Sequence, residues 1–550
     1  MAEAEETIPV KSADKLFEEF REVSVTEFFR KNKAHLGYAG KLRSLTTIIH
    51  EVVTNSLDAC EEAGILPEVT VEIKQMGEDH YRFICQDNGP GIPRKHIEGV
   101  FGQMLAGTKF HRNVQLRGQQ GIGVAGVTLY CQMTTGKPMR IRTSTGDGTV
   151  NDIKLLIDVS KNKADIIETG TYSEYWRGTE LEGEVKGVQF TLREGGPYEY
   201  IRRTAVANPH AKIVFIDPEG RKTIFNRATN TVIKPPQPQK QHPKGMDVDQ
   251  FITLAKVTEA RRVSSFLMSD FSRISAAKVA EIQELVNFDM KKNPHRLQWA
   301  EAEEIVKAFE KVEFMAPPTE GLSPLGEEII RKSILNVLEP EFEAVVTRKP
   351  TVHSGGIPFQ VEVAIAYGGK AGRILGDGQT KSEVMRFANR APLLFDAGGC
   401  ALTEAVQSID WKRYDIKDFE NSPVTLVVNL VSTHVPYTSA GKQSVASDEE
   451  VVKEIRFALM DVGRKFQLYH SHMRHEIEKE AKLNTLLKYS TELAPALARL
   501  IEKDGDSPKL LKALDHLIRE KLRMEDLEQE MEEGSEEELP QETFVEDKEA

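Results

Sequence analysis

The stretch Leu45 to Cys60, LTTIIHEVVTNSLDAC, constrains the fold most, because its apolar and polar residues segregate when it is wound as a helix. Leu45, Ile48, Ile49, Val52, Val53 and Ser56 recur at the spacing of a core-facing stripe. At roughly 100° per residue, Glu51, Asn55 and Asp58 fall within about 60° of one another on a second stripe. One helix therefore presents a carboxylate, a carboxamide and a carboxylate in a row. Taken singly, each is equally well a solvated polar position, and it is the chain that follows which gives them a common purpose.

Residues 81 to 86, YRFICQ, alternate like a strand and run into Asp87-Asn88-Gly89-Pro90-Gly91-Ile92, a tight turn built around an acid. Two glycine-bearing stretches follow, Gly107-Thr108-Lys109 and Gly118-Gln119-Gln120-Gly121-Ile122-Gly123-Val124-Ala125-Gly126. Glycines at this density let backbone N–H groups approach an anion, and a helix starting at their end adds its positive pole. Gly121 to Gly126 also satisfies GxGxxG, but the residues before it, KFHRNVQLRGQQ, do not read as a buried strand. A dinucleotide fold needs that strand, so the match carries nothing.

A helix with acid and amide, an Asp-x-Gly-x-Gly turn and a glycine-rich loop, in that order within 75 residues, resemble the Bergerat nucleotide site of gyrase, Hsp90, histidine kinases and MutL. The resemblance implies ATP and Mg²⁺ as cofactors, with Asn55 on the metal and Asp87 accepting from the adenine amino group beside Gly91. Gly107, Thr108 and Lys109, with Gly118, Gln119, Gln120, Gly121, Ile122, Gly123 and Val124, would surround the phosphates, Gly118, Gly121 and Gly123 forming part of a lid. Glu51 would polarise the attacking water, which argues for hydrolysis over transfer to a histidine. Thr179, in Trp176-Arg177-Gly178-Thr179-Glu180, matches a threonine that such domains carry on a strand behind the adenine. His50 reads as helix packing or surface, and Asp58 as structural.

Composition shifts divide the chain. PPQPQKQHPKG at 235 to 245 holds four prolines and reads as a linker. Residues 1–234 then form the nucleotide domain with an N-terminal extension, and 246–314 a small helical domain with Phe251, Leu254, Ala255, Val257, Val279, Ile282, Ile305 and Phe309 in periodic positions. After MAPPTEGLSP at 315 to 324, residues 322–447 alternate strand-like runs, Gln360 to Ala366 and Val424 to Val431, with helical stretches such as Ser382 to Ala388. From 448 to 524 the pattern is helical, capped by Asp448, with an apolar stripe from Val451 to the early 480s. Residues 525–550 hold thirteen acids against one base, which is −12 of the net −13 and leaves −1 for the other 524 residues. That tail reads as disordered, and the nearly neutral body leaves room for local basic patches.

Two further matches narrow the family. Pro-Tyr-Thr-Ser-Ala-Gly-Lys-Gln at 436 to 443 closes an apolar strand, and Lys442 resembles the switch lysine with which a transducer domain, of the ribosomal S5 domain 2 type, reaches the γ-phosphate; Gln443 would share that contact. Ser272 to Val279 resembles a helix-two-turn-helix module. Together these parts resemble the B subunit of the archaeal-type, type IIB DNA topoisomerase VI, from about residue 25 to 480. The fold class expected is α+β and multidomain: a Bergerat (GHKL) ATPase sandwich, a helical insert, and an α+β transducer with a long C-terminal helix.

That resemblance implies an ATP-driven homodimeric gate around double-stranded DNA. The partner would be an A subunit carrying the cleaving tyrosine, in an A2B2 heterotetramer that relaxes and decatenates DNA. DNA contact is expected through bases such as Arg261, Arg262, Lys291, Lys292 and Arg296, which are equally well a solvated helix face. The alternative is a MutL-like or Hsp90-like clamp. No apolar run reaches the roughly 18 residues a membrane span needs, and no secretory signal is read at the start, so the cytoplasm is the expected compartment. Cys60, Cys85, Cys131 and Cys400 are too scattered for a metal cage or a disulfide framework.

Overall fold

A computed structural model describes residues 24–107, 114–118, 121–375, 378–439, 441–501 and 506–536. Helix α1 (Val25–Lys31) is capped by the Ser24 hydroxyl, which accepts from Glu27 N. Helix α2 (Lys41–Glu62) realises the two-stripe pattern: Leu45, Ile48, Ile49, Val52 and Val53 are fully buried. They lie on an eight-stranded sheet, β1 (Glu68–Gly77), β2 (His80–Asp87), β3 (Met139–Thr145), β4 (Thr149–Asp158), β5 (Lys163–Ser173), β6 (Arg177–Lys186), β7 (Lys212–Ile216) and β8 (Lys222–Phe225). Its order is β5-β4-β3-β6-β2-β1-β7-β8, antiparallel except where β1 meets β7. Strand β2 alternates half-buried and buried residues, as a sheet with one covered face requires. Helices α3 (Ile97–Gly102), α4 (Gly123–Thr135) and α5 (Pro197–Ala207) complete this module.

The insert comprises α6 (Val248–Val257), α7 (Val263–Asp270), α8 (Ala276–Leu285) and α9 (Trp299–Lys311) around Phe251, Phe266, Phe271, Ile282, Ile305 and Phe309. Its predicted core is present, except that Val257 lies outside it, 73 % exposed. The next module is helix α10 (Glu327–Leu338) on a mixed sheet. Its strands are β9 (Phe342–Thr347), β10 (Thr351–His353), β11 (Ile357–Tyr367), β12 (Arg373–Ile374), β13 (Thr380–Lys381), β14 (Glu383–Ala388), β15 (Ala391–Pro392) and β16 (Val424–Ser432), of which β12 and β13 form a separate two-stranded ribbon. Helix α11 (Ala401–Gln407) packs at its side.

Two sequence expectations need correction. Ser382 to Ala388 is not helical: β14 pairs in parallel with β16, and every residue from Met385 to Ala388 is buried. A short apolar run has no solvent face, so periodicity cannot separate buried strand from buried helix. The long helix α12 (Glu449–Leu500) follows Asp448, whose carboxylate accepts from Val451 N at 3.3 Å, and runs through Pro495 within the stretch expected to be helical. The second correction is helix α13 (Ser507–Glu536), which runs beyond 525, where charge counting starts a disordered tail. Glu, Met, Leu and Gln are good helix formers, and hydropathy alone overlooks that propensity. Residues 537–550 lie outside the described residues.

The chain divides into two compact units, 1–464 and 465–550. In the first, α5 is buried on two sides, through Tyr200 and Ile201 in the core of the eight-stranded sheet and through Val206 and Ala207 against Ile330, Ile334 and Leu338 of α10. In the second, the Ser490 hydroxyl donates to Asp515 at 2.8 Å, tying α12 to α13. Among the described residues no helix is long and apolar enough to cross a membrane, and all four cysteines are buried free thiols.

Candidate active site

Asp87 ends β2 with its carboxylate turned inward, 7 % exposed. Ser56 Oγ donates to it at 2.9 Å, Gly89 N at 2.9 Å and Thr179 N at 3.1 Å. Burial pushes its pKa up, and these three donors offset part of that. The backbone closes on this acid from both sides. A Cβ on Gly178 would stand 2.0 Å from Asp87 O, and one on Gly91 2.0 Å from Ser144 O, so the turn requires glycine for room as well as for positive φ. Thr179 Oγ1 lies 3.1 Å from Thr143 Oγ1, which also accepts from Ile92 N. Asp87, Gly91 and Thr179 thus share one polar floor.

One turn apart on α2, Asn55 Nδ2 donates to Glu51 O at 2.8 Å, which leaves the amide oxygen of Asn55 as a hard donor. The Glu51 carboxylate abuts the start of α4: a Cβ on Gly123 would meet Glu51 Oε2 at 2.1 Å. No acid stands in the first turn of α4, and the carboxylate beside that turn, Glu51, comes from α2. Tyr38 stacks on Tyr130 at 4.4 Å beneath, its hydroxyl held neutral by burial and by Glu51. Gly107 is exposed, Gly121, Ile122 and Val124 are half-buried at the same helix start, and Leu105 N donates to Gly121 O at 2.9 Å. Thr108, Lys109, Gln119 and Gln120 lie outside the described residues.

Lys442 comes from the loop after β16, in the left-handed region at φ 51°, and its Nζ donates to Arg117 O at 3.2 Å, next to Gly118. A Cβ on the adjacent Gly441 would be 3.5 Å from Gly37, so the loop rests on the nucleotide module. Gln443 has a different place from the one expected: it is buried, with its amide oxygen accepting from Leu394 N and Phe395 N at 3.2 and 3.3 Å. It shapes the loop and is not grouped with the phosphate-facing residues. Asp58 is structural, bound by Arg117 at 2.6 Å. His50 is buried against Tyr200 at 5.3 Å, and burial lowers its pKa, which keeps it a neutral packing residue.

Sequence reasoning missed Ser56, Thr143, Glu61, Arg117 and Arg390. Only Glu61 carried a signal, three residues after Asp58 on the same face of α2.

Residues 40–160 match the family of histidine kinase-, DNA gyrase B- and HSP90-like ATPases, and 317–482 the topoisomerase VI B subunit transducer. The B subunit of type 2 DNA topoisomerase 6 from Pyrococcus horikoshii is 46 % identical, over 94 % of this chain and 98 % of that one. Its counterpart from Methanothermobacter thermautotrophicus is 49 % identical, over 92 % and 96 %. The chain belongs to the family of type 2 DNA topoisomerase 6 B subunits. It is an ATP-hydrolysing topoisomerase subunit. The ATPase region of Saccharomyces cerevisiae topoisomerase II aligns over 83 % of this chain and 99 % of its own, at 10 % identity and a TM-score of 0.40.

Proposed function

We propose that ATP held between Asp87 and Glu51 closes two copies of this chain around a DNA duplex, and that a partner A subunit bearing the nucleophilic tyrosine cuts both strands. The observation that supports the reading best is Lys442. A lysine from the transducer rests on the foot of the nucleotide lid, so occupancy of the pocket and the position of the transducer are mechanically joined.

In this reading Asp87 accepts from the adenine amino group, and the amides at Gly121, Ile122 and Gly123 receive the phosphates. Glu51 orients and deprotonates the attacking water, and Lys442 moves from the Arg117 carbonyl to the γ-phosphate as charge builds there. Asn55 fits Mg²⁺: it offers one neutral oxygen, which suits an ion that keeps most of its shell from phosphate and water. When bound, the ion neutralises phosphate charge. Arg261, Arg262, Lys291 and Arg296 of the insert are exposed and suit a DNA backbone, and the first three lie together, because Val263 N donates to Lys292 O. Lys292 is instead committed to Glu301 at 2.6 Å.

Relaxation of supercoiled DNA tests the reading. Strand passage is expected only with ATP and the A subunit both present, in an A2B2 assembly. Activity without the A subunit would sink it. In the same assay Glu51→Ala is expected to bind ATP, stay dimeric and lose turnover, whereas unchanged hydrolysis excludes Glu51 as base.

A further inference from the structure

The foot of the lid is gripped from two modules. Two consecutive carbonyls, Leu116 O and Arg117 O, accept from transducer residues, Asn389 Nδ2 at 3.0 Å and Lys442 Nζ at 3.2 Å. The Arg117 side chain points the other way, into a buried cluster. Its guanidinium donates to Asp58 at 2.6 Å, to Glu61 at 3.1 and 2.7 Å, and to Asn208 at 2.5 Å. Glu61 receives a second arginine, Arg390, at 2.9 and 3.4 Å.

Arg390 sits in the hairpin between β14 and β15, where Asn389 and Arg390 both have positive φ, 50° and 67°. Two adjacent non-glycine residues in that region persist only where their surroundings over-determine them. Here Asn389 exchanges hydrogen bonds with Ser432 at 2.9 Å each way, Asn429 accepts from Arg390 N at 3.2 Å, and Asn208 donates to Arg390 O at 3.3 Å. Replacing a buried ionic cluster by apolar packing of the same volume is often neutral or stabilising, so this cluster is weak evidence for stability and is better suited to fixing one arrangement of its parts.

We propose that Glu61 is a positioning residue for ATP turnover. By holding Arg117 of the lid and Arg390 of the transducer hairpin together, it keeps the carbonyl on which Lys442 rests in register only while the transducer is docked. Ten residues earlier on the same helix stands Glu51, so the water-activating end and the lid foot share one rigid frame. The inference rests on the proposed role of Lys442 at the γ-phosphate.

The test is a double-mutant cycle on the full chain with its A subunit, reading kcat and KM for ATP together with the melting temperature. Glu61→Gln keeps the shape and removes the charge. It is expected to lower kcat by about tenfold while KM stays within about twofold, since Glu61 touches no nucleotide. In a Lys442→Gln background the same change should cost less than about twofold more, because both act on one step. Independent, multiplicative losses, or a rise in KM matching the fall in kcat, would overturn the proposal. Arg390→Lys, which keeps the charge and loses the fork, runs the same cycle should Glu61→Gln melt early. Normal turnover in Lys442→Gln alone would remove the reading of Lys442 itself, an outcome separable from additivity.

Discussion

Asp87 carries two demands that burial sets against each other. In its proposed role it must be dry to make a strong contact with an amino group, yet dryness favours its neutral form. The structure places its pKa above the ordinary aspartate value of 3.8, through burial partly offset by Gly89, Ser56 and Thr179. In the role proposed for it, a protonated Asp87 would present a donor where the adenine amino group needs an acceptor. Nucleotide affinity is therefore expected at full strength at neutral pH and to weaken as pH falls toward and through that raised value, earlier than an unperturbed aspartate would set. The sign for stability is opposite: acid relieves the cost of the buried charge, so Asp87 does not itself make the fold acid-labile. Calorimetric titration with ATP at neutral pH and at pH about 5 checks this, with Asp87→Asn expected to flatten the dependence and to bind at least about tenfold more weakly, as loss of a hydrogen bond to a charged group does. Asp87, Glu51 and Asn55 were legible because each is a polar residue at a marked spacing. Ser56 was not, because on the helix wheel it falls on the apolar stripe, and only the incoming β2 turns that position into a donor.

At the scale of elements, the glycines divide by what they meet. Gly178 faces backbone at φ 140°, with a Cβ position 2.0 Å from Asp87 O, whereas Gly123 faces the flexible end of Glu51 at 2.1 Å. Gly178→Ala is thus expected to destabilise the module by more than about 2 kcal/mol, since neither backbone can yield. Gly123→Ala should leave the melting temperature nearly unchanged, since alanine suits a helix, and yet lower kcat by about tenfold or more by displacing the carboxylate. Thermal denaturation and steady-state hydrolysis on both variants separate the cases; equal losses of stability would refute the distinction. The glycine density of the loop was visible in the sequence, but the closeness of Gly123 to Glu51 was not, because that contact joins residues about 70 positions apart. Strand β14 was misread for a related reason: a run buried on both faces carries no period, and its identity is decided by β16.

For the molecule as a whole, residues 1–464 behave as one compact unit although sequence marks divide them into three domains. The joint between nucleotide module and transducer lies largely at α5, where apolar packing on α10 is flanked by a buried ionic cluster. Glu383 of β14, whose side chain is fully buried, receives Arg202 at 2.6 Å and Arg203 at 2.9 Å, and both arginines also bind Glu199. Burial raises the Glu199 pKa, but Arg203 and Arg202 outweigh it and hold the carboxyl at about 2. Arg203 is buried in this joint, whereas Arg202 keeps part of its side chain in contact with solvent. Glu383→Ala leaves one buried and one part-buried guanidinium group, Arg203 and Arg202, sharing one carboxylate and is expected to cost about 3 kcal/mol. Because that cost falls on the joint, the body should change from one calorimetric transition to two, the transducer and the nucleotide module melting apart. Hydrolysis that persists while strand passage fails would mark the same separation in function. A single transition, merely shifted to lower temperature, would show instead that the apolar face of α5 carries the joint without the ionic cluster.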